Sequence, residues 1–294
     1  MADLEGNINA KDFGVGVPPP ALVNPVKGAS QLDFGMQHRL SRIFKDDGRT
    51  VMLAFDHGYF QGPTSGLERV DLNIVPLAPY ADALMATRGI MRSVLPAADD
   101  SSLVVRASGG PSVLTELSDE LLAMDIDDAL RLDASAVAVQ VYVGSANETQ
   151  TIKNMTTMVD HGLRYSMPVL GVTAVGRELT RDSRYLGLAT RIIAELGAQM
   201  VKTYYCEEGF EQVTAGCPVP IIMAGGKKLP AEDALTMAFN AIDQGAAGVD
   251  MGRNIFQRQN PAAMIQAVSA LVHNNLSVSD AYALYQDISG GATD

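Results

Sequence analysis

Tryptophan is absent from this chain of 294 residues, cysteine occurs twice (Cys206 and Cys217) and histidine four times. Two cysteines cannot build a disulfide framework, which argues against a secreted, disulfide-stapled scaffold. The histidines form no HExxH or other ligand-spaced pair, so no catalytic metal is expected. Positive charge is scarce too: 22 Lys and Arg stand against 34 Asp and Glu, a formal net charge of −12. Such a chain repels a nucleic-acid backbone, and no Lys/Arg run is long enough to offset that. No stretch approaches the ~20 uninterrupted apolar residues of a membrane span. The first residues, Met1-Ala2-Asp3-Leu4-Glu5, carry neither the basic nor the apolar region of a secretory signal. The expectation is a cytoplasmic protein that binds neither nucleic acid nor membrane.

What the chain does have is a regular alternation. Continuous apolar runs near residues 51–55, 83–86, 103–106, 136–143, 169–173, 200–203, 219–223 and 248–251 read as parallel strands buried on both faces. Helical spacing between them predicts helices over 112–124, 149–161, 185–196, 231–244 and 261–274. Eight such units without a long structureless insert predict one (β/α)₈ TIM barrel, over 36–285. An open Rossmann-like sheet is the runner-up, but no GxGxxG follows any strand. Residues 1–35, with Val17-Pro18-Pro19-Pro20, read as an irregular N-terminal arm and 286–294 as a C-terminal tail. A short helix over 37–44 is expected across the barrel floor.

The strand ends carry one chemical set. Lys202 closes the apolar run Met200-Val201-Lys202-Thr203, where a lysine is costly unless it titrates, pairs or reaches a cavity. Desolvation and nearby cations would lower its pKa and leave a neutral amine able to form a Schiff base. Asp56, after the first strand, can face Lys202 and shuttle protons, or cap the next turn. His57 reads as a packing or supporting residue, and Tyr142 as either a proton donor or a core aromatic. The loops Gly225-Gly226-Lys227-Lys228 and Gly252-Arg253-Asn254 follow strands seven and eight, where such barrels often hold a phosphate. Gly225 and Gly226 offer amides, Gly252 a further amide, Arg253 a guanidinium and Asn254 a cap. Lys202, Lys227, Lys228 and Arg253 would focus positive potential on one rim. Cys206 and Cys217 lack an activating neighbour and read as packing residues.

These motifs resemble one family. Asp56-His57-Gly58, Tyr142-x-Gly144-Ser145, Val201-Lys202, Ala224-Gly225-Gly226-Lys227 and Gly252-Arg253-Asn254 are similar to the class I aldolases related to archaeal fructose-bisphosphate aldolase and deoxyribose-phosphate aldolase. Stretches such as Phe55-Asp56-His57-Gly58-Tyr59-Phe60-Gln61-Gly62 and Asp250-Met251-Gly252-Arg253-Asn254-Ile255-Phe256-Gln257 look closest to a branch of thiolases in autoinducer-2 breakdown. The resemblance implies Lys202 as the Schiff-base lysine, Asp56 and Tyr142 as acid/base residues, and Gly226, Gly252 and Arg253 as phosphate-binding positions. It further implies a phosphorylated diketone substrate derived from phospho-autoinducer-2. Coenzyme A would be the co-substrate, and the products acetyl-CoA and dihydroxyacetone phosphate. A homo-oligomer, with a decameric ring as the form the family suggests, belongs to the same implication. A plain aldolase acting on fructose-bisphosphate or a similar ketose phosphate would use the same lysine and phosphate site. A sugar-phosphate sensor on the same barrel is a third reading, without a feature in its favour.

Overall fold

The computed structural model describes residues 24–174 and 181–291. Ten strands fall within them: β1 (Thr50–Ala54), β2 (Ala83–Thr87), β3 (Ser102–Arg106), β4 (Ser108–Gly109), β5 (Leu121–Leu122), β6 (Ala136–Val141), β7 (Val169–Thr173), β8 (Met200–Tyr204), β9 (Ile221–Ala224) and β10 (Gly248–Met251). Eight of them close a parallel barrel in the order β1-β10-β9-β8-β7-β6-β3-β2, the expected (β/α)₈ architecture. The remaining two, β4 and β5, pair antiparallel as a small ribbon following β3.

Two apolar clusters explain why the strands read as continuous runs. One lies inside the barrel and gathers Met52, Ala54, Met85, Val104, Ala138, Leu170, Met200 and Ile222. The other lies between barrel and helices, where Val51, Leu53, Val105, Val137, Val201 and Val249 meet the helix faces. Successive side chains of a strand point to opposite faces, so a strand between two apolar layers is apolar at every position. The helices Glu148–Tyr165, Ser183–Glu195, Ala231–Asp243 and Pro261–Asn274 fall where the spacing puts them. The floor helix is Phe34–Ile43, capped by the Asp33 carboxylate on the Met36 amide, and its Leu40 and Ile43 plug the barrel interior.

The structure corrects one helix. No helix spans 112–124; the segment turns and returns through β5, and the helix that follows is Ile126–Arg131. Val113, Leu114, Leu117 and Leu121 mimic helical spacing, yet Leu114 is 89% exposed. Its buried members are Ser118, Glu120 and Met124, and Glu120 is drawn under Arg106. An ionic contact, which periodicity does not register, fixes this stretch. The arm expected over 1–35 lies mostly outside the described residues; its described end sets Val26 and Ala29 against the floor cluster. A final helix, Val278–Ile288, runs into the stretch expected to be tail. Val175 and Gly176, which follow β7 in the sequence, lie outside the described residues.

Candidate active site

At the C-terminal ends of the strands a cavity of about 290 Å³ opens. Its wall follows from strand parity. Asp56, Arg106, Gln140, Tyr142, Lys202, Tyr204 and Asp250 line it, each two residues along from, or in step with, an inward-facing position of its strand. Above the last apolar layer, Ala54, Ala224, Gly226 and Gly252 contribute little volume, which leaves the space open. Polar groups at this end and apolar layers beneath are what a catalytic barrel face requires.

Lys202 is 9% exposed, and its Nζ lies 2.7 Å from Oδ2 of Asp250, a residue 1% exposed. The two meet as a close ion pair, and apart from Lys202 neither Asp250 oxygen has a hydrogen-bond donor among the described residues. Nζ also reaches Met85 Sδ at 3.5 Å. Burial alone would depress the Lys202 pKa, but the charges of Asp250 and Asp56 outweigh it and hold it above the ordinary lysine value. The sequence-based expectation of a lowered pKa is thereby corrected: the resting side chain is an ammonium, because carboxylates and not cations are its nearest charged neighbours. Burial pushes the Asp250 carboxyl up, more than the attraction of Lys202 brings it down.

Asp56 lines the same cavity but has a different partner. Its Oδ2 accepts from Arg106 Nη1 at 2.7 Å, and both side chains are buried. Burial would raise this carboxyl too, yet Arg106 and then Lys202 hold it below the ordinary carboxylate value. Arg106 in turn donates through Nε to the Ser108 carbonyl at 2.9 Å and through Nη2 to Glu120 and Gln140. Gln140 passes the network on, donating to the Tyr142 hydroxyl at 3.0 Å. Glu120 also accepts from Ser108 Oγ at 2.6 Å and from Tyr59 at 3.1 Å. Burial drives the Tyr142 pKa well above that of a free phenol, so Tyr142 is a neutral hydrogen-bonding group. His57 stacks on Phe256 with ring centroids 5.8 Å apart, and burial lowers its pKa, leaving a neutral ring beside the cavity.

On the opposite wall the β9 and β10 loops meet. Gly226 has φ 66 with open space where a Cβ would point. Gly252 is required for another reason: a Cβ there would stand 2.2 Å from the Ala54 carbonyl. Arg253 lines the cavity and, among the described residues, has no ion-pair partner. Three expectations change here. The Gly225 amide is not free, since it donates to the Asp250 carbonyl at 3.1 Å. Asn254 is not a cap but a clamp: fully buried, it donates to the Gly225 and Lys227 carbonyls (2.6 and 2.9 Å) and accepts from the Leu229 amide (2.8 Å). Lys227 and Lys228 do not line the cavity; both are exposed, and Lys228 donates to the Gln257 carbonyl at 2.8 Å.

Sequence reasoning named Lys202, Asp56, Tyr142, Gly225, Gly226, Gly252 and Arg253, and all seven line this cavity. It missed Asp250, Arg106, Glu120 and Gln140. The signal for Asp250 and Arg106 was the one that disclosed Lys202, a charge inside a short apolar strand. Cys206 and Cys217 lie in the outer apolar cluster, and burial raises both thiols.

A buried lysine against a carboxylate, at the mouth of a closed (β/α)₈ barrel, defines the class of lysine-dependent aldolase barrels. The chain belongs to the DeoC/LacD aldolase family, whose model matches residues 50–258. It is similar to the 3-hydroxy-5-phosphonooxypentane-2,4-dione thiolase of Yersinia enterocolitica, 59% identical over 97% of this chain and 98% of that protein. The thiolase of the same description from Yersinia pseudotuberculosis is 58% identical with the same coverage. Among solved structures, an archaeal fructose 1,6-bisphosphate aldolase superposes with a TM-score of 0.74 at 25% identity, covering 81% of this chain and 99% of that one. Another archaeal fructose-1,6-bisphosphate aldolase, at a TM-score of 0.73 and 25% identity, holds the carbinolamine intermediate of its substrate covalently on its catalytic lysine, with 81% of this chain and 99% of that one covered.

Proposed function

We propose that the chain is a thiolase that cleaves 3-hydroxy-5-phosphonooxypentane-2,4-dione and passes its acetyl group to coenzyme A. The observation that carries this reading is whole-length likeness to the thiolases together with a cavity whose wall holds both Lys202 and Arg253. In the reaction, the substrate phosphate lies against Arg253 and the Gly226 and Gly252 loops, a charge-assisted contact that fixes which ketone reaches the lysine. Lys202 condenses with that ketone and releases water, giving an iminium. The coenzyme A thiolate attacks the other carbonyl. When the tetrahedral adduct collapses, the carbon–carbon bond breaks and its electron pair moves into the iminium, forming an enamine. Protonation and hydrolysis then return Lys202 and release dihydroxyacetone phosphate, with acetyl-CoA as the second product. In this reading Tyr142, neutral and accepting from Gln140, donates a hydrogen bond to a substrate oxygen.

A cavity of about 290 Å³ is on the scale of a small phosphorylated substrate. Neither cysteine lines it, so the acetyl group goes directly to the external thiol. A cytoplasmic setting and a homo-oligomeric ring belong to the same reading, and sedimentation velocity tests the ring. The deciding experiment supplies the phosphorylated diketone with and without coenzyme A. Acetyl-CoA and dihydroxyacetone phosphate should appear in equal amounts, and only when the thiol is present. Cleavage of fructose 1,6-bisphosphate at a comparable rate without any thiol would show a plain aldolase instead.

A further inference from the structure

We propose that Asp250, and not Asp56, takes the proton from the Lys202 ammonium and returns it during imine formation, an inference that rests on the Schiff-base reading of Lys202. Three observations carry it. First, Asp250 Oδ2 is 2.7 Å from Lys202 Nζ, while Asp56 is held by Arg106 Nη1 at the same 2.7 Å. Second, apart from Lys202 no hydrogen-bond donor among the described residues engages either Asp250 oxygen, so the carboxylate has no competing partner. Arg106 by contrast is itself fixed by Glu120, Gln140 and the Ser108 carbonyl, which leaves the Asp56 carboxylate tied to a cation that cannot give up its proton. Third, β8 and β10 are separated by β9 alone, and alternate barrel strands fill the same interior layer. Lys202 and Asp250 are thus presented to each other by the barrel, and Asp250 also lines the cavity that the carbonyl enters.

The remaining charged and titratable groups around the pair do not compete for this role. Asp56 comes from β1 and Arg106 from β3, already paired with each other. Tyr204, on the lysine's own strand, lies under the Arg181 guanidinium, 3.7 Å from its ring centroid. Tyr142, after β6, is neutral, and His57 faces Phe256. Arg253 is assigned to the phosphate.

The step balances with no other reactant. One ammonium proton moves from Nζ to Asp250 Oδ2, and the freed lone pair forms the C–N bond while the carbonyl π electrons pass to oxygen. Asp250 gives its proton to that oxygen and takes a second from the nitrogen, which completes the carbinolamine. It then protonates the hydroxyl, which leaves as water as the nitrogen lone pair closes the iminium. Two protons of the ammonium depart with the ketone oxygen, and Asp250 ends as the carboxylate it was.

The test follows the rate of imine formation by rapid mixing with dihydroxyacetone phosphate, borohydride quench and peptide mass spectrometry, between pH 6 and 9. A positioned acid/base group contributes roughly 10²–10⁴-fold, so Asp250→Asn should slow trapping on Lys202 at least a hundredfold across that range. Asp250→Glu, which keeps a proton acceptor, should recover at least tenfold over Asn. A carboxylate that only keeps Lys202 charged predicts the opposite sign: without it the neutral amine is favoured, and Asp250→Asn would trap as fast as wild type or faster near neutral pH. That outcome overturns the proposal. If thermal melting shows Asp250→Asn unfolded, the Glu variant decides, since a changed acceptor should displace the pH at half-maximal trapping and an unmoved profile would refute the role. Absence of a Lys202 adduct in the wild-type protein would instead remove the Schiff-base reading, and this inference with it.

Discussion

Two arginines at one cavity are used in opposite ways. Arg106 is 8% exposed and donates to Asp56, Glu120, Gln140 and the Ser108 carbonyl, so its charge is matched and its fork is filled. It cannot recognise an anion without abandoning that network, and a buried cation stripped of its partners costs several kcal/mol. Arg253 has no ion-pair partner among the described residues and stands beside Gly226 and Gly252. Arg253→Ala should weaken binding of dihydroxyacetone phosphate tenfold to a hundredfold, from the ~1.5–3 kcal/mol of a charged hydrogen bond. Calorimetry should show binding of unphosphorylated dihydroxyacetone scarcely altered; equal loss for both ligands would make Arg253 a structural residue. At this scale the sequence discloses which residues are out of place in apolar runs but not whom they meet. Lys202 is legible because nothing else explains it; that its partner is Asp250 and not Asp56 depends on barrel geometry, which brings together strands 48 residues apart as readily as neighbours.

Elements decide whether those residues converge. The two loops of the proposed phosphate wall are tied together largely by one side chain, Asn254, which takes three of their backbone groups. Replacing it with alanine removes the partner of the buried Gly225 carbonyl and of the partly buried Lys227 carbonyl and Leu229 amide. At about 1–3 kcal/mol for an unsatisfied buried group, partly relieved by water, Asn254→Ala should lower unfolding stability by roughly 2–4 kcal/mol. It should also loosen the phosphate site, so denaturant titration and dihydroxyacetone phosphate affinity should fall together. Stability loss with unchanged affinity would separate the clamp from the site. The β-strands themselves are legible from composition alone, because a parallel strand between two apolar layers has no alternative reading. The β4–β5 ribbon is not. Its position is set by Glu120 reaching Arg106 and Ser108, a contact between residues 12 and 14 apart whose payoff lies in charge pairing and not in apolar spacing.

Across the whole molecule the ionisable groups divide between the two ends of the barrel. Lys202, Asp56 and Asp250 serve the catalytic mouth, whereas His273 staples the floor. Its Nδ1 lies 2.7 Å from Asp47 and its Nε2 2.8 Å from Asp82. Asp82 also accepts from the Val51 amide at 2.6 Å and faces Lys45 at 3.5 Å, so the staple joins the helix Pro261–Asn274 to the start of β1. Arg49, nearby, is turned to the Val272 carbonyl and Asn275. The Asp82 hydrogen bond raises the His273 pKa above its ordinary 6.5; burial opposes this, and Asp47 adds to it. A basic group whose folded pKa is raised contributes stability that is fully present below its unfolded pKa and lost as pH rises through the folded one. Asp47 runs the other way: burial would raise it, but His273 and Arg49 hold it below its ordinary 3.8, so its contribution disappears only as pH falls through that lowered value. The Lys202 contribution persists to alkaline pH, since its pKa lies above an ordinary 10.5. Between pH 6 and 9 the floor staple therefore makes stability fall as pH rises. His57, whose pKa burial lowers below 6.5, works the other way near the bottom of that range, so the His273 contribution is isolated by comparing the protein with a His273 variant. A partly buried pair of about 1 kcal/mol corresponds to roughly 2 °C in a protein of this size, so the contribution of His273 to the melting temperature should decline by about that much as pH rises from 6 to 9. His273→Gln retains hydrogen bonding but not the charge, and its melting temperature should lie below wild type at pH 6 and converge on it at pH 9. Parallel curves for the two proteins would mean that His273 stays neutral and holds the floor by hydrogen bonds alone.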